Sequence, residues 1–241
     1  MSAHLRSIVL VPGAWHGSWC WHRLEPLLTA DGHRVLMPEL LATGFDQTNP
    51  ASIKLETWAR QVVELLEQQD EPALLVGHSR GGAVISRVAE LVPERISRLV
   101  YLAAYLLPAG GTVADEARAD ADSLIAANML PADRGVTCTL PPEIAREAFY
   151  SGCDPALADF ALTQLNVEPL RPLVTPLRIS AESFGRVPRA YVECTRDRTI
   201  SIAAQRRMQA IWPCDPVLTL KSGHSPFLSH PQELAQWLGR L

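Results

Sequence analysis

Ser79 lies in the run Gly77-His78-Ser79-Arg80-Gly81-Gly82, where a hydroxyl is framed by glycines at the spacing of a sharp turn. A serine hydroxyl is a poor nucleophile and acts only beside a base that is itself oriented by an acid. Gly-x-Ser-x-Gly also arises by chance, so its surroundings decide what it means. Here Ala73-Leu74-Leu75-Val76 reads as a buried strand running into the motif. Val84, Ile85, Val88 and Ala89 form the stripe of a helix leaving it. A strand-to-helix turn this tight strains the nucleophile's backbone, and Gly77 and Gly81 remove side chains where strand and helix approach, with Gly82 adding room. The hydroxyl then stands at a helix N-terminus, where amides and the helix dipole favour negative charge.

For a serine on such a turn, the acid and then the base follow in chain order. Of seven histidines, His224 and His230 are the two that follow the last strand pattern. His224 sits in Lys-Ser-Gly-His-Ser-Pro-Phe, a glycine-flanked loop able to aim an imidazole across a sheet edge. His230 precedes Pro231 at a helix start and reads as a surface residue. Asp197 follows the strand ending at Cys194, in Thr-Arg-Asp-Arg-Thr. It could instead cap a helix or pair with Arg196 or Arg198, yet it is the one carboxylate of that loop. Glu193 lies within the strand and is a weaker contender. Ser79, Asp197 and His224 are therefore the expected catalytic residues. An oxyanion hole needs two backbone donors, and losing one costs about 3 kcal/mol. The expected donors are the N–H groups of Arg80 and of Ala14, the latter in the loop Pro12-Gly13-Ala14-Trp15.

The elements that must hold these residues form an α/β pattern, a mostly parallel sheet of strands joined by helices. Strands are expected at Ile8–Val11, Arg34–Met37, Ala73–Val76, Leu99–Ala103, Ala190–Cys194 and Val217–Leu220. Helices are expected over Ser18–Ala30, Thr57–Gln68, after Ser79, around Ala203–Ile211, and at the end with Leu234, Trp237, Leu238 and Leu241. Between residues 106 and 186 the rhythm breaks into helical, irregular sequence with no convincing strand. Residues 1–105 and 187–241 are read as the core and 106–186 as an inserted helical cap. A cap matters at the carboxyl ends of the strands, where open α/β sheets bind ligands. Trp15, His16, Arg80, Tyr105, Leu106, Leu124, Phe149, Phe160 and Phe184 are the expected pocket lining, which suggests a moderately apolar ligand group.

Composition narrows the function classes. The formal net charge of −4, with scattered basic residues, gives no pull toward nucleic acid or anionic lipid. Leu99–Pro108, the longest apolar stretch, falls far short of the roughly 20 residues of a membrane helix. Met1–Arg6 is too short and polar for a signal peptide. The five cysteines include no CxxC pair, so neither a metal site nor a disulfide framework is expected, and a cytoplasmic location is. The oligomeric state is not legible.

The segment Val-Pro-Gly-Ala-Trp-His-Gly-Ser-Trp-Cys-Trp-His-Arg-Leu resembles the opening of the plant methylesterase and hydroxynitrile lyase family. Gly-His-Ser-x-Gly-Gly, Tyr-Val-Glu-Cys-Thr-x-Asp and Gly-His-Ser-Pro-Phe look like bacterial members, among them pyrethroid-hydrolysing carboxylesterases, and Glu168-Pro169-Leu170 fits the bacterial pattern. The resemblance implies an α/β-hydrolase fold of six parallel strands with a helical cap, no cofactor, and the same triad and oxyanion amides. Two residues depart from it. Pro12 replaces the usual His of the oxyanion loop, and Arg80 stands where a small or apolar residue is common. The Arg80 side chain either faces the pocket to recognise a carboxylate or phenolate, or folds against acids of the cap such as Asp115 or Glu116. The family's lyases carry a Thr where Gly13 stands and a Lys where Ser225 stands, so both lyase markers are missing. The expected activity is hydrolysis of a small to medium ester through an acyl-enzyme. The alternatives are cofactor-free lyase, cyclase or dioxygenase chemistry on the same Ser-His pair, and a small-ligand receptor.

Overall fold

The computed structural model describes residues 6–241, so residues 1–5 of the stretch read above as no signal peptide lie outside the described residues. The chain opens with β1 (Ser7–Val11), a single 3-10 turn at Ser18–Trp21, and α1 (Glu25–Ala30). The one helix expected over Ser18–Ala30 is thus two pieces. Pro26 has no N–H for the helical ladder, and its ring excludes a helical carbonyl one turn back, so a helix can start there but not run through. β2 (Arg34–Leu36), α2 (Leu55–Glu67), β3 (Ala73–His78), α3 (Gly81–Leu91) and β4 (Ile96–Leu102) follow close to their expected places.

The next segment holds α4 (Val113–Ala119), α5 (Ile125–Asn128), β5 (Leu130–Ala132), β6 (Thr137–Thr139), α6 (Pro142–Tyr150), α7 (Pro155–Gln164), β7 (Glu168–Pro169) and α8 (Leu170–Leu173). The three strands form a small antiparallel sheet in the order β5-β6-β7, which corrects the expectation of a strandless segment. None is longer than three residues, too short for alternation to show in the sequence. Pro131 and Pro169 lie on its two outer strands, where a missing N–H is tolerated.

The chain closes with β8 (Arg189–Cys194), α9 (Ile202–Ile211), β9 (Val217–Leu220), α10 (Pro226–Ser229) and α11 (Pro231–Leu238). The main sheet has the order β2-β1-β3-β4-β8-β9, with every pair parallel. β3 is buried along its whole length, as a central strand covered on both faces must be. α2 packs against α3, and α1 against α11, so helices flank the sheet. The order of connection reverses between β1 and β3, whose ends meet at Val11 and Gly77. A reversal of this kind leaves a crevice outside the carboxyl ends of the strands. The loops after β1 and β3 flank that crevice, and those after β8 and β9 enter it from the other side.

Candidate active site

Ser79 is the first of the two residues between β3 and α3, in the left-handed region at φ 52°. Its carbonyl accepts from the N–H groups of Gly82 and Tyr105, both at 3.0 Å, which locks the turn. A Cβ on Gly77 would lie 2.7 Å from the Gly81 carbonyl oxygen, so only glycine lets β3 and α3 cross here. Trp15 (φ 61°), in the loop after β1, and Ala103 (φ 42°), directly after β4, are also left-handed. Strained non-glycine backbone therefore gathers at one end of the sheet, where such strain commonly marks a working site.

Asp197 and His224 meet at that end. His224 Nδ1–H donates to Asp197 Oδ2 at 2.7 Å, and both side chains are buried. The other carboxylate oxygen accepts from the backbone N–H groups of Thr199 (2.7 Å) and Ile200 (2.9 Å), while Gln205 supports Oδ2 at 3.4 Å. With its carboxylate fixed in this way, Asp197 holds the imidazole as the tautomer that leaves Nε2 free to accept a proton. That Nε2 is buried and finds no hydrogen-bond partner among the described residues, Ser79 included. Nucleophile-base contacts are often loose until substrate is in place. His78, next to Ser79, donates from Nε2 to the His224 carbonyl at 2.9 Å. Burial, together with the neighbouring His224, pushes its pKa well below the usual histidine range, so it serves as a neutral prop. His230 precedes α11, and its side chain bonds its neighbour Ser229.

The loop after β1 is held by side chains. Arg80 Nη2 donates to the Gly13 carbonyl at 3.0 Å, His16 Nδ1–H to the Ala14 carbonyl at 2.7 Å, and the Trp15 amide to Glu168 Oε2 at 3.0 Å. His16 Nε2 in turn accepts from the Tyr150 hydroxyl at 2.9 Å. The amides of Ala14 and Arg80 make no hydrogen bond among the described residues. Of the two orientations weighed for the Arg80 side chain, the second is found in kind, since it folds against an acid of segment 106–186, but the acid is neither Asp115 nor Glu116. Asp115 pairs with Arg118 and Glu116 with Arg207. Arg80 instead donates from Nε to Glu168 Oε1 at 3.0 Å, with its guanidinium 4.1 Å above the Trp58 ring. The two side chains are 1% and 0% exposed, so no substrate carboxylate can reach this cation. Burial raises the Glu168 carboxyl and lowers the Arg80 guanidinium, and each charge offsets part of the other's penalty.

A cavity of about 90 Å³ opens above Ser79. Trp15, Arg80 and Tyr105 border it as expected, and so do Ala14 and Thr199. Its apolar wall comes from α4 and α5 through Val113, Ala114, Ala117, Ile125, Ala126 and Met129, none of which the sequence had singled out. The other expected lining residues lie elsewhere. Leu106 is core, His16 is turned to Ala14 and Tyr150, and Leu124 stands one residue before the lining stretch of α5. Phe149 borders a separate cavity behind Trp15 and lies 5.9 Å from the His224 ring. Phe160 is 46% exposed against Trp19 and His22, and Phe184 is buried against Trp212 and Arg189. Among the described residues, no cluster of His, Cys, Asp and Glu could hold a metal ion, and no helix is long and apolar enough to cross a membrane.

A model of the "Alpha/beta hydrolase family" matches residues 8–237. Methylesterase 18 of Arabidopsis thaliana is 29% identical, covering 99% of this chain and 97% of its own length. The crystal structure of a pyrethroid hydrolase from Sphingobium faniae JZ-2 superposes with a TM-score of 0.83 at 28% identity, over 98% of this chain and 96% of that one. Polyneuridine aldehyde esterase does so with a TM-score of 0.87 at 25% identity, over 98% of both chains.

Proposed function

The chain belongs to the alpha/beta hydrolase family, and from that membership we propose that it is a serine carboxylesterase acting through an acyl-enzyme on a small to medium, moderately apolar ester. The observation that carries the reading is the buried Asp197-His224 pair at the same sheet end as the left-handed Ser79, beneath an apolar cavity. In the proposed reaction His224 Nε2 takes the Ser79 proton as Oγ bonds to the acyl carbon. The amides of Ala14 and Arg80 stabilise the oxyanion, which is commonly the largest single contribution. The C–O bond to the alcohol then breaks, and His224 returns the proton to the departing oxygen. Water, activated by the same imidazole, hydrolyses the acyl-enzyme. The names of the relatives, a methylesterase and a pyrethroid hydrolase, fit an ester bond as the target.

Space at position 13 disfavours the lyase alternative. A Cβ there would lie 2.7 Å from His78 Nδ1 and 2.9 Å from the Ser79 Cβ, so the lyases' threonine has no room. All five cysteines are free thiols, which fits the cytoplasmic location we propose. The test is a burst of p-nitrophenol from p-nitrophenyl acetate, with labelling of Ser79 by a fluorophosphonate. Both are expected to vanish in Ser79→Ala. Turnover of a non-ester substrate by an enzyme that no fluorophosphonate labels would instead support lyase chemistry, and ligand binding with no turnover a receptor.

A further inference from the structure

We propose that the buried Arg80–Glu168 ion pair is a positioning device for the oxyanion hole, aiming the Ala14 amide through the peptide plane it shares with the Gly13 carbonyl. The inference rests on the esterase reading above. A peptide unit is rigid and planar, with its C=O and N–H pointing in opposite directions. Arg80 Nη2 grips the Gly13 oxygen at 3.0 Å, so it fixes the direction in which the Ala14 N–H points. The next plane, Ala14 C=O with Trp15 N–H, is held at both ends by His16 and by Glu168 Oε2. Both rotatable bonds of Ala14 lie between these two fixed planes. Arg80 thus sets one expected oxyanion donor through its guanidinium and supplies the other from its own amide.

Glu168 makes the arrangement stable. Its Oε1 accepts from Arg80 Nε while Oε2 accepts from Trp15 N–H, so one carboxylate ties the cation to the loop. Glu168 belongs to β7 of the small antiparallel sheet and pairs there with Cys138 of β6. The Trp15 indole N–H reaches the Cys138 carbonyl at 3.1 Å, and the Trp15 carbonyl accepts from the Asn166 amide at 3.0 Å. The inserted segment therefore does more than wall the cavity. Its small sheet holds the strained loop at Trp15 to the nucleophile turn.

Removing one partner of a buried pair strands a charge, so single truncations would report stability more than catalysis. The informative variant is Arg80→Met combined with Glu168→Leu, which removes the ties and leaves no unpaired charge. Its kcat is expected to fall about 10- to 100-fold with KM little changed, because a misaimed donor costs transition-state stabilisation and not ground-state binding. The decisive readout is a pair of inhibitors with one carbon skeleton, a trifluoromethyl ketone and its methyl ketone. Ser79 Oγ adds to the activated carbonyl, its proton passes to His224, and the carbonyl oxygen becomes an oxyanion in the hole. The methyl ketone only occupies the pocket. Loss of trifluoromethyl ketone affinity by the same factor as kcat/KM, with methyl ketone affinity unchanged, supports the proposal. Equal weakening of both ketones, or of neither, overturns it. If the double variant does not fold, Arg80→Lys carries the same comparison, since the ammonium keeps a cation beside Glu168 but lacks the planar fork that holds the Glu168 carboxylate and the Gly13 carbonyl together. A several-fold loss confined to the trifluoromethyl ketone is expected there. Failure of wild-type Ser79 to react with a fluorophosphonate overturns the esterase reading and this proposal together. Labelling of wild type without the split between ketones overturns this proposal alone.

Discussion

Asp197 supports the proposed chemistry by holding one tautomer. Its Oδ1 is committed to two backbone amides and its Oδ2 to His224 Nδ1. In Asp197→Asn the amide oxygen would keep the Thr199 and Ile200 contacts, because only it can accept. The amide nitrogen would then face Nδ1 as a donor and drive the imidazole proton to Nε2, where it cannot act as base. A kcat loss of about 10⁴-fold is expected, with KM nearly unchanged and thermal stability close to wild type. Steady-state kinetics with fluorophosphonate labelling rates check this, and a loss below about tenfold would remove Asp197 from the triad. His16 and His78 work differently. Both are held neutral by burial and touch backbone carbonyls, so they place the loop and the base without exchanging protons.

The helices α4 and α5 set what fits above Ser79, and their small residues are the feature to test. Ala117 lies 7% exposed on the cavity wall. Ala117→Leu should fill the space an extended acyl chain needs and leave room for acetate. We expect kcat/KM for hexanoyl esters to fall at least about tenfold relative to acetyl esters, since a misplaced methylene or two is worth roughly 10- to 200-fold. An ester panel varying acyl length at constant alcohol checks it, and an unchanged ratio would place the acyl group elsewhere. The elements that bear the chemistry were legible because local rules write them. Ala73–Val76, the glycines around Ser79 and the stripe after it announce a strand, a tight turn and a helix within one short run. Asp197 and His224 follow from chain order and loop position. The inserted segment was not legible in the same way. Strands of two or three residues have no period to read, and Phe160 and Phe184 carried no signal for which face of an irregular segment they occupy. Glu168 was visible only as part of a resembling tripeptide, because its partner lies 88 positions away.

At the scale of the molecule, the buried site ties stability to pH. Burial lowers the His16 pKa from 6.5 to about 3, and the nearby His224 and Arg80 push in the same direction. His78 shifts the same way for the same first reason. Between those two pH values the unfolded chain takes up a proton that the folded protein refuses. The His16 contribution is therefore complete above about pH 6.5 and is lost as pH falls toward 3, by up to about 1.4 kcal/mol per pH unit, and that of His78 is lost in the same direction. Glu168 acts with the opposite sign. Its carboxyl is raised above 4.5 by burial, so the folded state holds that proton more tightly and Glu168 weakens the fold as pH rises past 4.5. His33, Asp46, Glu56 and Glu193 are lowered as well, so together with His16 and His78 they leave a net loss of stability on acidification from pH 6.5. Replacing His16→Phe together with Tyr150→Phe removes one of these titrations without stranding the tyrosine hydroxyl. The thermal midpoint of that variant should depend less steeply on pH between 4 and 6, by at most roughly 6 °C per pH unit for a domain of this size. Circular-dichroism melts across that range decide it. Parallel profiles for variant and wild type would mean that His16 is protonated in the fold, and that its hydrogen bond to Ala14 does not depend on the neutral ring.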